Sequence, residues 1–153
     1  MGPNDLTRYL RERGIEFRIF EFDKPTRTVR EAAERLGTSE DNVVKSLLFI
    51  TGSGPVLAIV AGTQRVDARK LAEAVGAGWA RLATRSEVEA ITGYPAGALP
   101  PVGHKTKLKT IIDPAVLKLD KVYAGGGAPN ALLEISPQDI LKLAGGRIVE
   151  VSE

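Results

Sequence analysis

Lys45 is the first residue whose type demands a chemical explanation. It interrupts the apolar run Val43 to Ile50, and in a strand its side chain shares a face with Val43, Leu47 and Phe49. An ammonium there must snorkel to the sheet margin or meet an anion, because burying it unpaired is costly. Gly97-Ala-Leu-Pro-Pro101-Val-Gly103 is the second feature. Glycine lets a backbone approach a ligand closely, and proline removes alternative conformations, so such a loop can aim N–H groups at a carbonyl or phosphate oxygen. Gly125-Gly126-Gly127 has the same capacity. It lacks the Gly-Lys-Ser/Thr ending of a phosphate-binding loop and does not open a helix, which excludes a nucleoside triphosphatase. Each pattern also has an ordinary reading, as a strand-edge lysine and as plain loops.

No other residue offers stronger chemistry. His104 is the single histidine, and no Asp or Ser partner for it is visible in the sequence; in its lysine-rich surroundings it reads as a surface residue that contacts nucleic acid. Arg65, in the turn after a buried strand, can face a ligand or solvent. Asp139 reads as the reciprocal partner in a helix cap begun by Ser136. Without cysteine there is no thiolate nucleophile, disulfide or cysteine metal site, and one histidine excludes the multi-histidine zinc sites. The sequence therefore predicts no metal and no cofactor.

The elements that must position these residues follow from capping and periodicity. Asp5 to Arg13 reads as a helix stopped by Gly14, and Ile15 to Phe22 as a strand whose apolar phase slips at Ile19 and Phe20, which suggests a bulge or a strand buried on both faces. Thr28-Val-Arg-Glu31 and Thr84-Arg-Ser-Glu87 are capping boxes, and Asp67 caps a third helix. Val43 to Ile50 and Val56 to Ala61 flank a turn and read as a hairpin. Further strands are expected at Trp79–Leu82, Leu108–Ile112, Lys121–Ala124, Ala131–Ile135 and Arg147–Val151. Tyr94 to Lys107 has no periodicity, and unstructured loops of that length are usually functional. Strands and short helices do not alternate strictly, so the expected fold is α+β, a mixed, curved, partly open barrel-like sheet with helices around it.

The chain has 153 residues, 43% of them hydrophobic and 26% charged, the composition of one globular domain spanning 1–153. No apolar run is long enough for a membrane helix, and the first residues have no apolar core of a secretion signal, so the cytosol is the expected compartment. The net charge of +2 announces no nucleic acid, but the charge is unevenly placed. Between Pro101 and Lys121 five lysines face only Asp113 and Asp120, and His104 lies beside them. Lys105, Lys107 and Lys109 thus form a candidate phosphate-binding cluster.

In order, these segments resemble the YbaK/prolyl-tRNA-synthetase-associated family along about 110 residues. The matching pieces are Val44-Lys45-Ser-Leu-Leu-Phe49, Val56-Leu-Ala-Ile-Val-Ala-Gly62 with Arg65-Val-Asp67, and Ala80-Arg-Leu-Ala-Thr84. They continue through Thr92-Gly-Tyr94, Gly97 to Gly103, Thr110-Ile-Ile-Asp113, Val122-Tyr-Ala-Gly-Gly126 and Ile135-Ser-Pro-Gln-Asp139. The resemblance implies a freestanding aminoacyl-tRNA deacylase that edits mischarged tRNA for proline, carrying alanine or cysteine, with the tRNA acceptor end and prolyl-tRNA synthetase as partners. It places the family's pocket lysine on Lys45 and its Gly-x-x-x-Pro loop on Gly97 to Pro101, the catalytic positions. Arg65, Gly103 and Gly125 to Gly127 are the expected substrate contacts, and His104, Lys105, Lys107 and Lys109 the tRNA contacts. Gly125 stands where bacterial cysteinyl-tRNA deacylases tend to carry serine, which speaks against strict cysteine specificity. The other readings are a module that binds aminoacyl-tRNA or an RNA 3′ end without hydrolysis, and a small-molecule binder that keeps only the fold.

Overall fold

The computed structural model describes residues Met1–Glu153. Its centre is the hairpin of β2 (Val44–Thr51) and β3 (Gly54–Ala61), paired without interruption from Val44 opposite Ala61 to Thr51 opposite Gly54. Thr51 fixes the turn, its hydroxyl donating to Gly54 O at 2.8 Å and accepting from Ser53 N at 3.0 Å. β4 (Ala80–Leu82) pairs antiparallel with β2, while β5 (Lys109–Ile112) runs parallel to β3 and β8 (Arg147–Ile148) parallel to β5. The resulting order is β4-β2-β3-β5-β8. A second, antiparallel sheet has the order β1-β7-β6, from β1 (Phe17–Glu21), β7 (Ala131–Ile135) and β6 (Val122–Gly125). A parallel bridge between Val43 and Tyr123 joins the sheets just before β2 begins. The fold is the mixed, partly open α+β arrangement expected from the sequence.

Six helices surround the sheets: α1 (Pro3–Glu12), α2 (Val29–Leu36), α3 (Ala68–Ala74), α4 (Arg85–Thr92), α5 (Pro114–Leu117) and α6 (Pro137–Ala144). Their starts are the residues the sequence marks. Thr28 Oγ1 accepts from Glu31 N at 3.0 Å, and Thr84 and Glu87 cap α4 reciprocally. Asp67 accepts from Arg69 N and Lys70 N. Satisfying these otherwise unpaired N–H groups stabilises each start by about 1 kcal/mol. Because side chains alternate along β2 and β3, the hairpin feeds two cores. Val44, Leu48, Leu57 and Ile59 join Leu133, Ile135 and Ile140 on one side. Phe49, Val56, Ala58 and Val60 pack with Leu71 on the other.

Three expectations need correction, and one alternative that the sequence leaves open is decided. β1 pairs with β7 in regular register from Phe17 to Glu21, without a bulge; Ile19 packs on the main core and Phe20 against Tyr123, so both faces carry apolar residues. The last strand shrinks to Arg147–Ile148, because Asp113 draws off the chain beyond it: this buried carboxylate accepts from Val151 N at 3.1 Å and Ser152 N at 3.2 Å. At α6 only Ser136 caps, through Gln138 N, and Asp139 takes no reciprocal part. Finally, Tyr94 to Lys107 is no surface excursion. Tyr94, Ala98, Leu99 and Val102 are buried, three of them in the main core, so this irregular segment is a wall of the fold.

Candidate active site

That wall and the open seam between the sheets enclose a cavity of about 310 Å³. One side is the start of β2, Val43 to Leu47, including Lys45 and Ser46. The second is the irregular wall at Ala96, Gly97 and Leu99, the third the sheet residues Ala124, Gly125 and Leu132, and the fourth Thr26 to Val29 with Ala32 at the start of α2. Apolar surface and a few polar groups alternate around it, as in sites for small ligands. It has no Asp, Glu or His in its lining, while Arg27 and Lys45 both contribute. Its charge therefore suits an anion.

Lys45 occupies the strand margin. It sits opposite Val60, and its Nζ donates to Gln64 O in the segment after β3. Partial burial, with the Arg65 guanidinium nearby, pushes its ammonium below the ordinary lysine value. Arg65 is itself exposed, and its carbonyl accepts from Glu153 N at 2.8 Å. Two cations converge here with no carboxylate between them, an arrangement that an incoming phosphate relieves.

The wall facing Lys45 is a single 3-10 turn, Ala96–Ala98, whose Ala98 N–H donates to Pro95 O at 3.0 Å. The N–H groups of Gly97 and Leu99 take no acceptor among the turn and loop hydrogen bonds. A Cβ on Gly97 would meet nothing within 4 Å, so any side chain there would project into open space beside the cavity. His104 holds the following stretch in place. Its Nε2 lies 2.6 Å from Pro100 O, and its ring packs edge-on to Tyr94 at 6.4 Å. Burial pushes the imidazole below its ordinary value, against the upward pull of that bond.

The structure thus brings Lys45, Gly97 and Gly125 together and separates other expected residues from them. Pro101 and Gly103 line a different cavity of about 330 Å³, with His104 and Lys107. There Gly103, at φ +79°, packs on the ring of Tyr9. Gly126 N donates to Ala131 O and Gly127 N to Ala98 O, both at 3.0 Å, so neither N–H is free for a substrate carbonyl. The glycine run instead lets two backbones meet. His104 is half-buried and bonded, and is not the open surface histidine expected; its ring forms part of the wall. Lys105, Lys107 and Lys109 are exposed as expected. Asp139 lines a third cavity, of about 740 Å³, between α1, β1 and β7. Not anticipated from the sequence were Ser46, Leu132 and the start of α2. Only Ser46 carried a signal, as a polar residue facing the opposite side of the strand from Lys45.

The cavity thus sets the Lys45 cation against the irregular Ala96–Leu99 wall on a mixed α+β frame. Comparisons with known proteins give the class. The aminoacyl-tRNA editing domain family matches residues 23–143, and the chain belongs to that family of aminoacyl-tRNA ester hydrolases. The Ser/Thr-tRNA deacylase ProXp-y of Escherichia coli K12, named as multifunctional, is 30% identical over 149 residues, covering 94% of this chain and 89% of that protein. EbsC of Enterococcus faecalis, named as a candidate Cys-tRNA(Pro)/Cys-tRNA(Cys) deacylase, is 26% identical over 95% of this chain and 90% of its own. A solved structure of a candidate trans-editing enzyme for prolyl tRNA synthetase superposes with a TM-score of 0.92 at 36% identity, covering 99% and 96% of the two chains.

Proposed function

We propose that this protein is a freestanding trans-editing deacylase of the cytosol that removes alanine or cysteine from mischarged tRNA for proline, clearing products released by prolyl-tRNA synthetase. The observation that carries the reading is that Lys45 and the Gly97–Leu99 turn bound one cavity of about 310 Å³, a volume for a small amino acid and part of the terminal ribose. Lys45, with Arg65 behind it, pairs with a phosphate of the tRNA end. The amino acid side chain lies against Val29, Ala32 and Leu132. The N–H groups of Gly97 and Leu99 take up the negative charge that develops on the ester carbonyl when water attacks. One such donor is worth about 2.7–4 kcal/mol in comparable sites. The bond from carbonyl carbon to the ribose oxygen then breaks, and that oxygen leaves as the hydroxyl of the tRNA. With no carboxylate or histidine in the lining, the substrate's own 2′-hydroxyl relays the proton, accepting it from the attacking water while giving its own to the leaving ribose oxygen, a form of the substrate assistance the family resemblance suggests. Lys105, Lys107 and Lys109 contact acceptor-stem phosphates, which position the RNA without reading its sequence.

The missing general base also favours a second reading, a module that binds the aminoacyl end without turnover. One experiment separates them. Purified protein is incubated without added metal with alanyl-, cysteinyl- and prolyl-tRNA for proline, and ester hydrolysis and complex formation are followed together. The deacylase reading expects release of alanine or cysteine and sparing of proline. Stable binding without release establishes the module instead.

A further inference from the structure

Of all buried side-chain polar atoms, only Ser46 Oγ and the Tyr94 hydroxyl have no hydrogen-bond partner. Tyr94 is fully enclosed in the main core, where burial, with the Asp5 charge nearby, pushes its phenol up to about 12. Ser46 is different, because it lines the candidate active site. Elsewhere in that lining Thr28 Oγ1 accepts from Glu31 N, and Lys45 Nζ donates to Gln64 O. Ser46 sits opposite Ile59 on the core face of β2, between Val44 and Leu48. A hydroxyl on that face gains nothing from packing and loses its water, which makes an unpaired one costly. Nothing in the folded chain repays that cost.

We infer that Ser46 is a specificity residue whose hydroxyl bonds the amino acid side chain, so that the cavity favours small side chains carrying a hydroxyl or thiol on Cβ over the methyl of alanine. The inference rests on the deacylase reading and narrows its substrate. The electrostatics of the cavity decide which part of the substrate Ser46 meets. With Arg27 and Lys45 present and no carboxylate, the lining repels the substrate's α-ammonium, so the hydroxyl is left for a neutral group. Ser46 is half-buried and lines the cavity, and its hydroxyl can step between staggered χ1 positions when a ligand enters. A site built to bond a hydroxyl discriminates strongly against an analogue without one, because its own polar group then stays unpaired.

The test uses non-hydrolysable 3′-amide analogues of seryl- and alanyl-adenosine, with affinity read by calorimetry so that no turnover is needed. The wild type is expected to bind the seryl analogue at least tenfold more tightly. Ser46→Ala should bring that ratio near one, leave the alanyl affinity within threefold and keep the melting temperature, since it removes an unpaired hydroxyl. Ser46→Thr and Ser46→Val, nearly equal in volume, repeat the contrast should alanine perturb the fold: threonine keeps the ratio and valine loses it. A wild-type ratio within threefold, or one that Ser46→Ala and Ser46→Val leave unchanged, overturns the inference. Deacylation of alanyl- and cysteinyl-tRNA is measured beside it. Hydrolysis without seryl preference sinks the role of Ser46 alone, and seryl preference without hydrolysis of any aminoacyl-tRNA sinks the deacylase reading alone.

Discussion

The carbonyl oxygen of Leu99 occupies the space in which a Cβ on Gly125 would lie. Backbone meets backbone there, and the bond from Gly127 N to Ala98 O at 3.0 Å closes the same contact. The irregular wall of the cavity is therefore seated directly on the end of β6. Gly97, two residues earlier, touches nothing in this way.

The two glycines should consequently fail differently. Gly125→Ala must push the wall off β6, and an overpacked contact of that kind costs about 1–3 kcal/mol of stability. Gly97→Val should melt within a degree or two of wild type, yet lose at least tenfold in deacylation, about 1.4 kcal/mol, by filling the space beside the cavity. Thermal melts and single-turnover assays on both variants check the pair. A stable, fully active Gly97→Val would remove this turn from the mechanism.

Lys45 is expected to matter most for turnover. Lys45→Ala deletes the cation that meets the tRNA end, a partly desolvated contact worth about 2 kcal/mol, so deacylation should fall about thirtyfold or more. Arg65→Gln tests the pairing of the two cations. Removing a neighbouring like charge stabilises the ammonium, so the Lys45 pKa should rise in the variant, as read by NMR titration of its side chain.

His104 should reveal itself through stability and not as a catalytic base. Its folded-state value lies below the ordinary 6.5, so the unfolded chain binds the proton more readily. The stabilisation is complete above a pH of about 6.5 and declines as pH falls toward the folded value. Melting temperature measured down this range should drop in wild type, and the drop should shrink in His104→Gln. Turnover of His104→Ala should fall less than that of Lys45→Ala, and the wild-type pH–rate profile should have no limb near pH 6.5.

The exposed lysines predict the ionic behaviour. If they meet phosphates, tRNA affinity falls linearly with the logarithm of salt concentration, and Lys105→Ala with Lys107→Ala should flatten that slope by about one to two units. Filter binding at several salt concentrations gives the slope. An unchanged slope would place the RNA on another face.

Local chemistry alone determined much of this protein. Thr28, Asp67 and Thr84 each announce a helix start because a side-chain oxygen must satisfy the first free N–H groups, and all three do so. The hairpin of β2 and β3 was legible because two β-branched runs flank a short glycine turn. Lys45 stood out because an ammonium has few ways to exist on an apolar face. What depended on distant contacts was not legible. The glycines at 97 and 125 look alike in sequence, yet one faces open space and the other a carbonyl 26 positions away in the chain. His104 read as a surface residue because its partner is the backbone oxygen of Pro100, and a main-chain acceptor leaves no mark in residue types. Ser46 is a polar residue in an apolar strand, but only the tertiary fold shows that its hydroxyl is left without a partner. Sequence specifies which groups can bond; only the folded chain decides which groups meet, because burial and backbone proximity belong to the whole structure.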